Sequence, residues 1–418
     1  VSISYRPDKR TEEPQIKQEE VNSLPERNLD FDKIINRKGT KCLKYDFAIK
    51  RGYPEDVLPL WVADMDFRST SYVEDAIHNL AAHNIYGYTN LQKGDGFFEA
   101  VAGWMKRHHN WEVFPEWHVH TPGVCFAIAT AIRAYTNEGD AVIIQQPVYY
   151  PFKNIIVRNK RKLVSNDLLY DGKGHYSIDF EDFENKIKNN SVKLFVLCNP
   201  HNPVGRVWTT AELKRLGDIC KKYNVIVFSD EIHFDFIWKS HHHIFQEICE
   251  DYKDFTITGT SPSKTFNLAG AQQSNIFICN KDLKRKFVTQ YDVSGLDEPN
   301  PFGIAATEAA YKYGDEWYEA VIKYIDGNIK FAKDYIETEI PNVKLVYPEG
   351  TYLIWLDFQD TGIEPKKLDD LIINKAKLWL DSGRIFGDTG MGFQRINTAC
   401  PRSVLETALE RIKSCITE

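Results

Sequence analysis

The chain has 418 residues, 43% of them hydrophobic, with 24 glycines, 18 prolines and a formal net charge of −7. That composition supports a sizeable core and excludes collagen-like, low-complexity and globally disordered chains. The acidic balance argues against a general binder of nucleic acid or anionic membrane, no apolar run approaches the roughly 18 residues of a membrane span, and the eight scattered cysteines, none in a C-x-x-C pair, read as reduced thiols.

Residues 1–27 are polar, charged and interrupted by prolines, which predicts an arm or tail. They lack the apolar stretch of a secretory signal, so the expected location is the cytoplasm. From about residue 66, helical and strand patterns alternate. Short apolar runs bounded by turn signals predict strands at 141–144, 194–197, 225–228, 256–258 and 276–279, with a helix over 211–223 between the second and third. Continuously apolar strands separated by helices predict a largely parallel sheet covered on both faces. This is an α/β architecture, in which ligands gather at the carboxyl ends of strands. After the turn-rich segment 291–303, Ile322, Ile325, Ile329, Ala332 and Ile336 recur at helical spacing. A strand-like stretch over 344–358, a helix near 368–380 and a final helix from Ser403 follow. The expected organisation is a large domain of 66–300 and a smaller α+β domain shared by 28–65 and 301–418.

Four segments that follow predicted strands carry chemistry. QPVYYPF (146–152) offers Tyr149, whose ring could stack on an aromatic cofactor or pack in the core. CNPHNPVGR (198–206) places Asn202 just past a strand end, where an amide can donate to a phenolate oxygen or serve turn chemistry alone. SDEIHFDF (229–236) places Asp230 at a strand's carboxyl end. A buried carboxylate there needs a cation, and a pyridinium nitrogen would serve; the plain alternative is a loop or helix cap. SPSKTFNLAG (261–270) sets Lys264 among the hydroxyls of Ser261 and Ser263, so that a Schiff base with a carbonyl could form beside a bound phosphate. Each segment alone has a structural explanation. Jointly, three successive strand ends supply an aromatic, an amide and an acid, and a lysine follows a further strand.

Other clusters read as structural. The run His241–His243 lies in a polar loop, without a Cys or carboxylate at ligand spacing, and predicts solvated side chains and no metal. Asp64 and Asp66, two apart in a loop entering a helix, favour capping and backbone anchoring over an acid/base pair.

In that order, PVY, NPHNPVG, DEIH and SPSK resemble the fold-type-I pyridoxal-phosphate enzymes of the aminotransferase class I/II superfamily. LPLWVADMDF (58–67), YGYT (86–89) and FQRINTACPR (393–402) bring the resemblance closest to the cystathionine β-lyase branch and the cystalysin-type carbon–sulfur lyases, over roughly residues 30–415. The resemblance implies a large domain with a mostly parallel sheet, a smaller α+β domain, and pyridoxal 5′-phosphate as cofactor. It implies β-elimination from an S-substituted L-amino acid, releasing a thiol or sulfide, pyruvate and ammonia. Carried over by position, Lys264, Asp230 and Tyr149 form the catalytic set: the lysine holds the cofactor and moves the Cα proton, the acid pairs with the pyridine nitrogen, and the ring stacks. Asn202 contacts the phenolate oxygen. The amides of Gly123, Val124 and Cys125 open a helix and hold the phosphate, which helix N-termini do physically, with help from Ser261 and Ser263. Arg395 grips the substrate α-carboxylate, and Tyr150, Ala63 and Asp64 border the substrate. Tyr88 reaches the phosphate of the neighbouring subunit, which implies a homodimer. Two positions depart from common relatives: His233, a partner on the cofactor side, stands where many carry a tyrosine, and Gln272 stands where many carry a phosphate-binding arginine. The resemblance leaves open an aminotransferase using the same residues, and a cofactor-binding regulatory protein with little turnover.

Overall fold

Strands that are apolar at every position cannot expose a face, so they pair in the middle of a covered sheet. In the computed structural model, which describes residues 25–417 except 297, two such strands, Ala141–Ile144 and Leu194–Cys198, are interior neighbours in a seven-stranded sheet. Most of the predicted arm therefore lies outside the described residues. The strands are β1 (His118–Thr121), β2 (Ala141–Ile144), β3 (Lys162–Ser165), β4 (Leu194–Cys198), β5 (Ile226–Asp230), β6 (Thr256–Thr260) and β7 (Ser274–Phe277). Their order is β1-β7-β6-β5-β4-β2-β3. β7 runs antiparallel to both neighbours and the remaining pairings are parallel. The fully buried strands β2, β4 and β6 fall within two residues of the predicted runs. The edge strands β1 (HVHT) and β3 (KLVS) escape prediction because edges tolerate polar residues and short runs of them carry no clear period.

Helix α1 (Val124–Tyr135) follows β1, and α2 (Thr210–Lys222) lies between β4 and β5. α2 starts one residue before its predicted limit because Thr209 and Glu212 form a reciprocal cap, each side chain accepting from the other's backbone amide. Helix α3 (Asp315–Glu339) buries Val321, Ile325, Ile329, Ala332 and Ile336; the stripe is centred on Val321, and Ile322 is only half-buried. The final helix, α4, spans Arg402–Thr417.

The C-terminal stretch contains a four-stranded antiparallel sheet of β8 (Lys344–Val346), β9 (Leu353–Asp357), β10 (Asp381–Ser382) and β11 (Phe393–Asn397), in the order β8-β9-β11-β10. The helix predicted near 368–380 stops early. A helix at Pro365–Asp370 ends in one wide turn over Leu371–Lys375, and Leu378–Trp379 pairs in parallel with Leu58–Pro59. A tertiary contact overrides the helical pattern there: Trp379 is buried and stacks on Trp61, with ring centroids 4.5 Å apart and planes 12° from parallel. Among the described residues no helix is long and apolar enough to cross a membrane.

Residues 58–67 run from this C-terminal sheet to the lysine segment, held by two asparagines. The buried Asn397 side chain donates to the carbonyls of Val62 (2.7 Å) and Asp64 (2.6 Å) and accepts from Ala399 N. Asn267 accepts from Met65 N (2.9 Å) and donates to the carbonyls of Met65 and Phe67 (both 3.0 Å). Asn397→Ala leaves two carbonyls and one amide without their partner, so it should cost about 1–3 kcal/mol in denaturant-induced unfolding; a change within error would show that the clamp is dispensable.

Candidate active site

β6, β5, β4 and β2 are consecutive neighbours, so the residues after their carboxyl ends meet at one edge of the sheet. Lys264, Asp230, Asn202 and Tyr149 come from these four strands in turn. They line a cavity of about 170 Å³, whose wall also contains Ala63, Gly123, Val124, Cys125, His233, Ser261, Ser263 and Gln272.

One end of the cavity suits an anion. Gly123, at φ +155°, precedes α1, and nothing lies within 4 Å of where a side chain would begin. The first N–H groups of a helix have no partner within it and attract negative charge. The Ser261 hydroxyl donates to the Gln273 carbonyl (2.6 Å) and accepts from Ser263 N (3.0 Å), which caps the four-residue helix Pro262–Thr265. The Ser263 hydroxyl remains available at the wall.

In the same cavity, Asp230 is the last residue of β5 and is buried. Its carboxylate accepts from Ile232 N (3.1 Å), and it has no ion pair among the described residues. Burial pushes its carboxyl up to about 7, against the opposing pull of that amide and of Lys264. Such an acid is poised for a cationic ring nitrogen. Lys264 Nζ donates to the Ala63 carbonyl (2.7 Å), which also accepts from Tyr352 (2.9 Å). Desolvation draws the amine down to about 8, with Asp64 raising it and Arg395 lowering it. An amine so tuned can act as a nucleophile and carry protons near neutrality.

The next residue, Thr265, bonds through its hydroxyl to the buried Asp235, which also accepts from Trp104 Nε1 (3.1 Å) and contacts His109 Nε2 (2.7 Å). The short lysine-bearing helix is thus anchored beneath the cavity.

Arg395, on β11, is buried next to the cavity. It donates to Asn202 Oδ1 (2.8 Å) and the Trp61 carbonyl (2.8 Å) and pairs with Asp381 of the adjacent strand β10; its Nε has no hydrogen-bond partner among the described residues. Asp381 is pushed up to about 6 by burial, with Arg395 pulling against it. His233 is buried, and burial followed by the charges of Lys264 and Arg395 holds its imidazole well below its usual range, so it is neutral. Tyr149 lies between Cys125 and Tyr150, its phenol raised by burial.

Arg395 therefore stands beside the cavity and does not line it, and three further expected residues lie outside it. Tyr150 lines a neighbouring cleft with Asp381, Trp61 and Arg51. Asp64 faces a third cavity and is gripped by Arg37 (2.6 Å). Tyr88 is 96% exposed and adds nothing to the cavity of its own chain. The histidine run also differs from expectation. The His242 side chain is only 2% exposed and meets the buried Glu231 carboxylate at 2.7 Å, because Glu231, adjacent to Asp230, needs donors and takes them from His242, Ser229 and Phe245 N. Among the described residues no three His, Cys, Asp or Glu side chains gather as a metal site. Asp235, Asn267, Asn397, Tyr352 and Asp381 were not singled out from sequence; Asp235, Asn267 and Asn397 lie inside segments already marked by their neighbours, and the other two signals arise only from packing.

Residues 55–412 match the family of aminotransferases class I and II. The chain belongs to that family. Over 389 residues it is 41% identical to cystathionine beta-lyase PatB of Bacillus subtilis, covering 93% of this chain and 100% of that protein. Among solved structures it is similar to cystalysin from Treponema denticola, which contains a pyridoxal 5′-phosphate cofactor, with TM-score 0.87, 39% identity and coverage of 93% and 98% of the two chains. It is also similar to the pyridoxal-phosphate-bound C-S lyase from Staphylococcus hominis, with TM-score 0.86, 34% identity and the same coverage.

The buried acid of this family member has a consequence for stability. In protein stripped of small molecules, Asp230 holds its proton more tightly folded than unfolded, so its contribution is fully present below about pH 4 and is lost as pH rises through about 7. Asp230→Asn abolishes that loss. The melting temperature of the variant minus that of the wild type should climb between about pH 4 and about pH 8; a flat difference would show that the carboxyl titrates normally.

Proposed function

We propose that this protein is a pyridoxal 5′-phosphate-dependent carbon–sulfur β-lyase that converts an S-substituted L-amino acid and water to a thiol, pyruvate and ammonia. The observation that carries the proposal is the pairing, in one cavity, of a buried acid lacking a cation with a glycine-opened helix N-terminus, and a lysine with a lowered pKa beside both. Cystathionine beta-lyase as the name of a relative identical at 41% of positions supports the choice of reaction.

When bound, the cofactor supplies an electron sink for the charge left at Cα after deprotonation. Lys264 would hold the cofactor through its carbonyl carbon, and its amine would be free once the substrate amine is bound. The freed Nζ then takes the Cα proton, the step for which its lowered pKa suits it. Asp230 would keep the ring nitrogen protonated, Asn202 would donate through Nδ2 to the ring oxygen, and Tyr149 would cover the ring face. The amides of Gly123, Val124 and Cys125 hold the phosphate with Ser263, and Ser261 orients Ser263 through its backbone. Arg395 receives the α-carboxylate, steadied by Asp381. The neutral His233 packs against the cofactor side and Ala63 forms the substrate wall over Lys264, while Tyr150 and Asp64 stand at the adjoining cavities. The C–S bond breaks with its electron pair leaving on sulfur, and the unsaturated amine left behind takes up one water to give pyruvate and ammonia.

In this reading residues 66–300 form the cofactor domain, and 28–65 with 301–418 the smaller one that brings Arg395. Exposed Tyr88, flanked by exposed Ile85 and Tyr86, reaches the phosphate site of a second copy in a homodimer. The enzyme works in the cytoplasm on a small amino acid; none of its eight cysteines is joined in a disulfide. Lys264→Ala should lose the visible absorbance of a cofactor–lysine bond and lower pyruvate release by about a thousandfold or more. Full turnover in that variant would refute the assignment, and keto-acid-dependent amino transfer with little pyruvate from the wild type would make the protein an aminotransferase.

A further inference from the structure

We propose that Asp235 is a positioning residue for Lys264: through the Thr265 hydroxyl it sets where the reacting amine stands relative to Asp230. The inference rests on the reading of Lys264 as the cofactor-bearing lysine and adds a group that touches neither substrate nor cofactor.

Asp230 and Asp235 belong to one short segment. Asp230 closes β5 and lines the cavity; Asp235, five residues later, does not line it and is buried. The chain between them is tied at every other residue. Ile232 N donates to the Asp230 carboxylate (3.1 Å), Phe234 N to the Glu231 carbonyl (3.0 Å) and Phe236 N to the His233 carbonyl (3.0 Å). The Tyr318 hydroxyl of α3 donates to the Asp235 carbonyl (2.6 Å). The place of Asp235 is therefore fixed relative to Asp230.

Its carboxylate in turn holds the lysine segment. Lys264 Nζ reaches the Ala63 carbonyl (2.7 Å) at the cavity wall, whereas the next residue, Thr265, is wholly buried and bonds to Asp235. Phe266 follows and meets Trp104 edge-on, with ring centroids 5.0 Å apart. Trp104 Nε1 donates to the same carboxylate (3.1 Å), and His109, the last residue of the helix Phe97–His109, brings Nε2 within 2.7 Å of it. Among the described residues no lysine or arginine pairs with Asp235. A buried carboxylate only accepts, so these three donors fix its direction. Thr265 is the donor that belongs to the lysine helix, and a helix of four residues has too few bonds of its own to hold a side chain in register.

The test titrates each holoenzyme with pH through the visible absorbance of the cofactor–lysine bond, and measures pyruvate release from L-cystathionine. Thr265→Val keeps the shape and loses the hydroxyl. It should move the absorbance midpoint by about half a pH unit or more and lower kcat about tenfold with KM within about twofold, the pattern of a displaced reacting group. Thr265→Ser should restore both. Asp235→Asn should act like Thr265→Val, and the double variant should lose no more than the more damaging single one, since both break one link. Leu216→Ala truncates the core side of α2, which contributes nothing to the cavity wall; it should lower the melting temperature and leave the midpoint where it was. An unchanged midpoint in Thr265→Val, or a midpoint that follows melting temperature through the whole series, would overturn the role of Asp235. If Asp235→Asn does not fold, the two Thr265 variants still decide. A wild type that shows the absorbance and releases no pyruvate refutes the lyase reading, and the midpoints then decide the positioning role alone; a wild type without the absorbance refutes both.

Discussion

An acid and an amine, both buried, share one cavity, and their environment keeps both near the point of titration. Water is the better solvent for either charge, so burial lifts Asp230 and lowers Lys264. Neither makes an ion pair with the other, because Lys264 is turned to the Ala63 carbonyl. The cavity therefore holds a carboxyl in need of a cation and an amine ready to lose a proton. Almost every other feature of the site serves to keep these two groups buried, apart and correctly aimed.

That requirement explains the dense polar scaffold around the cavity. The lysine sits on a helix of four residues, too short to be rigid by itself. It is held by Asp235 beneath Thr265, by Asn267 toward residues 65–67, and by the Ser261 cap. Arg395 is similarly over-determined, by Asp381 beside it in the sheet, by Asn202 and by the Trp61 carbonyl. A buried guanidinium needs such partners to offset its desolvation, and the same partners fix where its remaining Nε is available. The cavity and the groups beside it come from segments hundreds of residues apart, so the hydrophobic clusters that join the C-terminal sheet to the large one also set the geometry of the site.

Legibility in the sequence followed local physics. The central strands were readable because both faces are buried, which makes β2 and β4 apolar throughout, and the residues after them were readable because parallel neighbours must end at one edge. The edge strands and the Leu378–Trp379 pairing were not, since a polar edge has no pattern and Trp379 is extended only because Trp61 stacks on it. The histidine run misled for a related reason: a polar loop predicts solvation, but a buried glutamate elsewhere in the chain recruited His242.

The sequence alone determined the α/β class, the order in which Tyr149, Asn202, Asp230 and Lys264 follow their strands, and the family, because strand burial and strand-end chemistry are written in consecutive residues. Only the tertiary structure decided which charges remain unmatched. Among the described residues Asp230 has no ion pair, while Arg395 is held by Asp381 and Asp64 is neutralised by Arg37, and each of these facts depends on which side chains meet in space. Charge compensation is a property of distance in space, and no local pattern of residues records it.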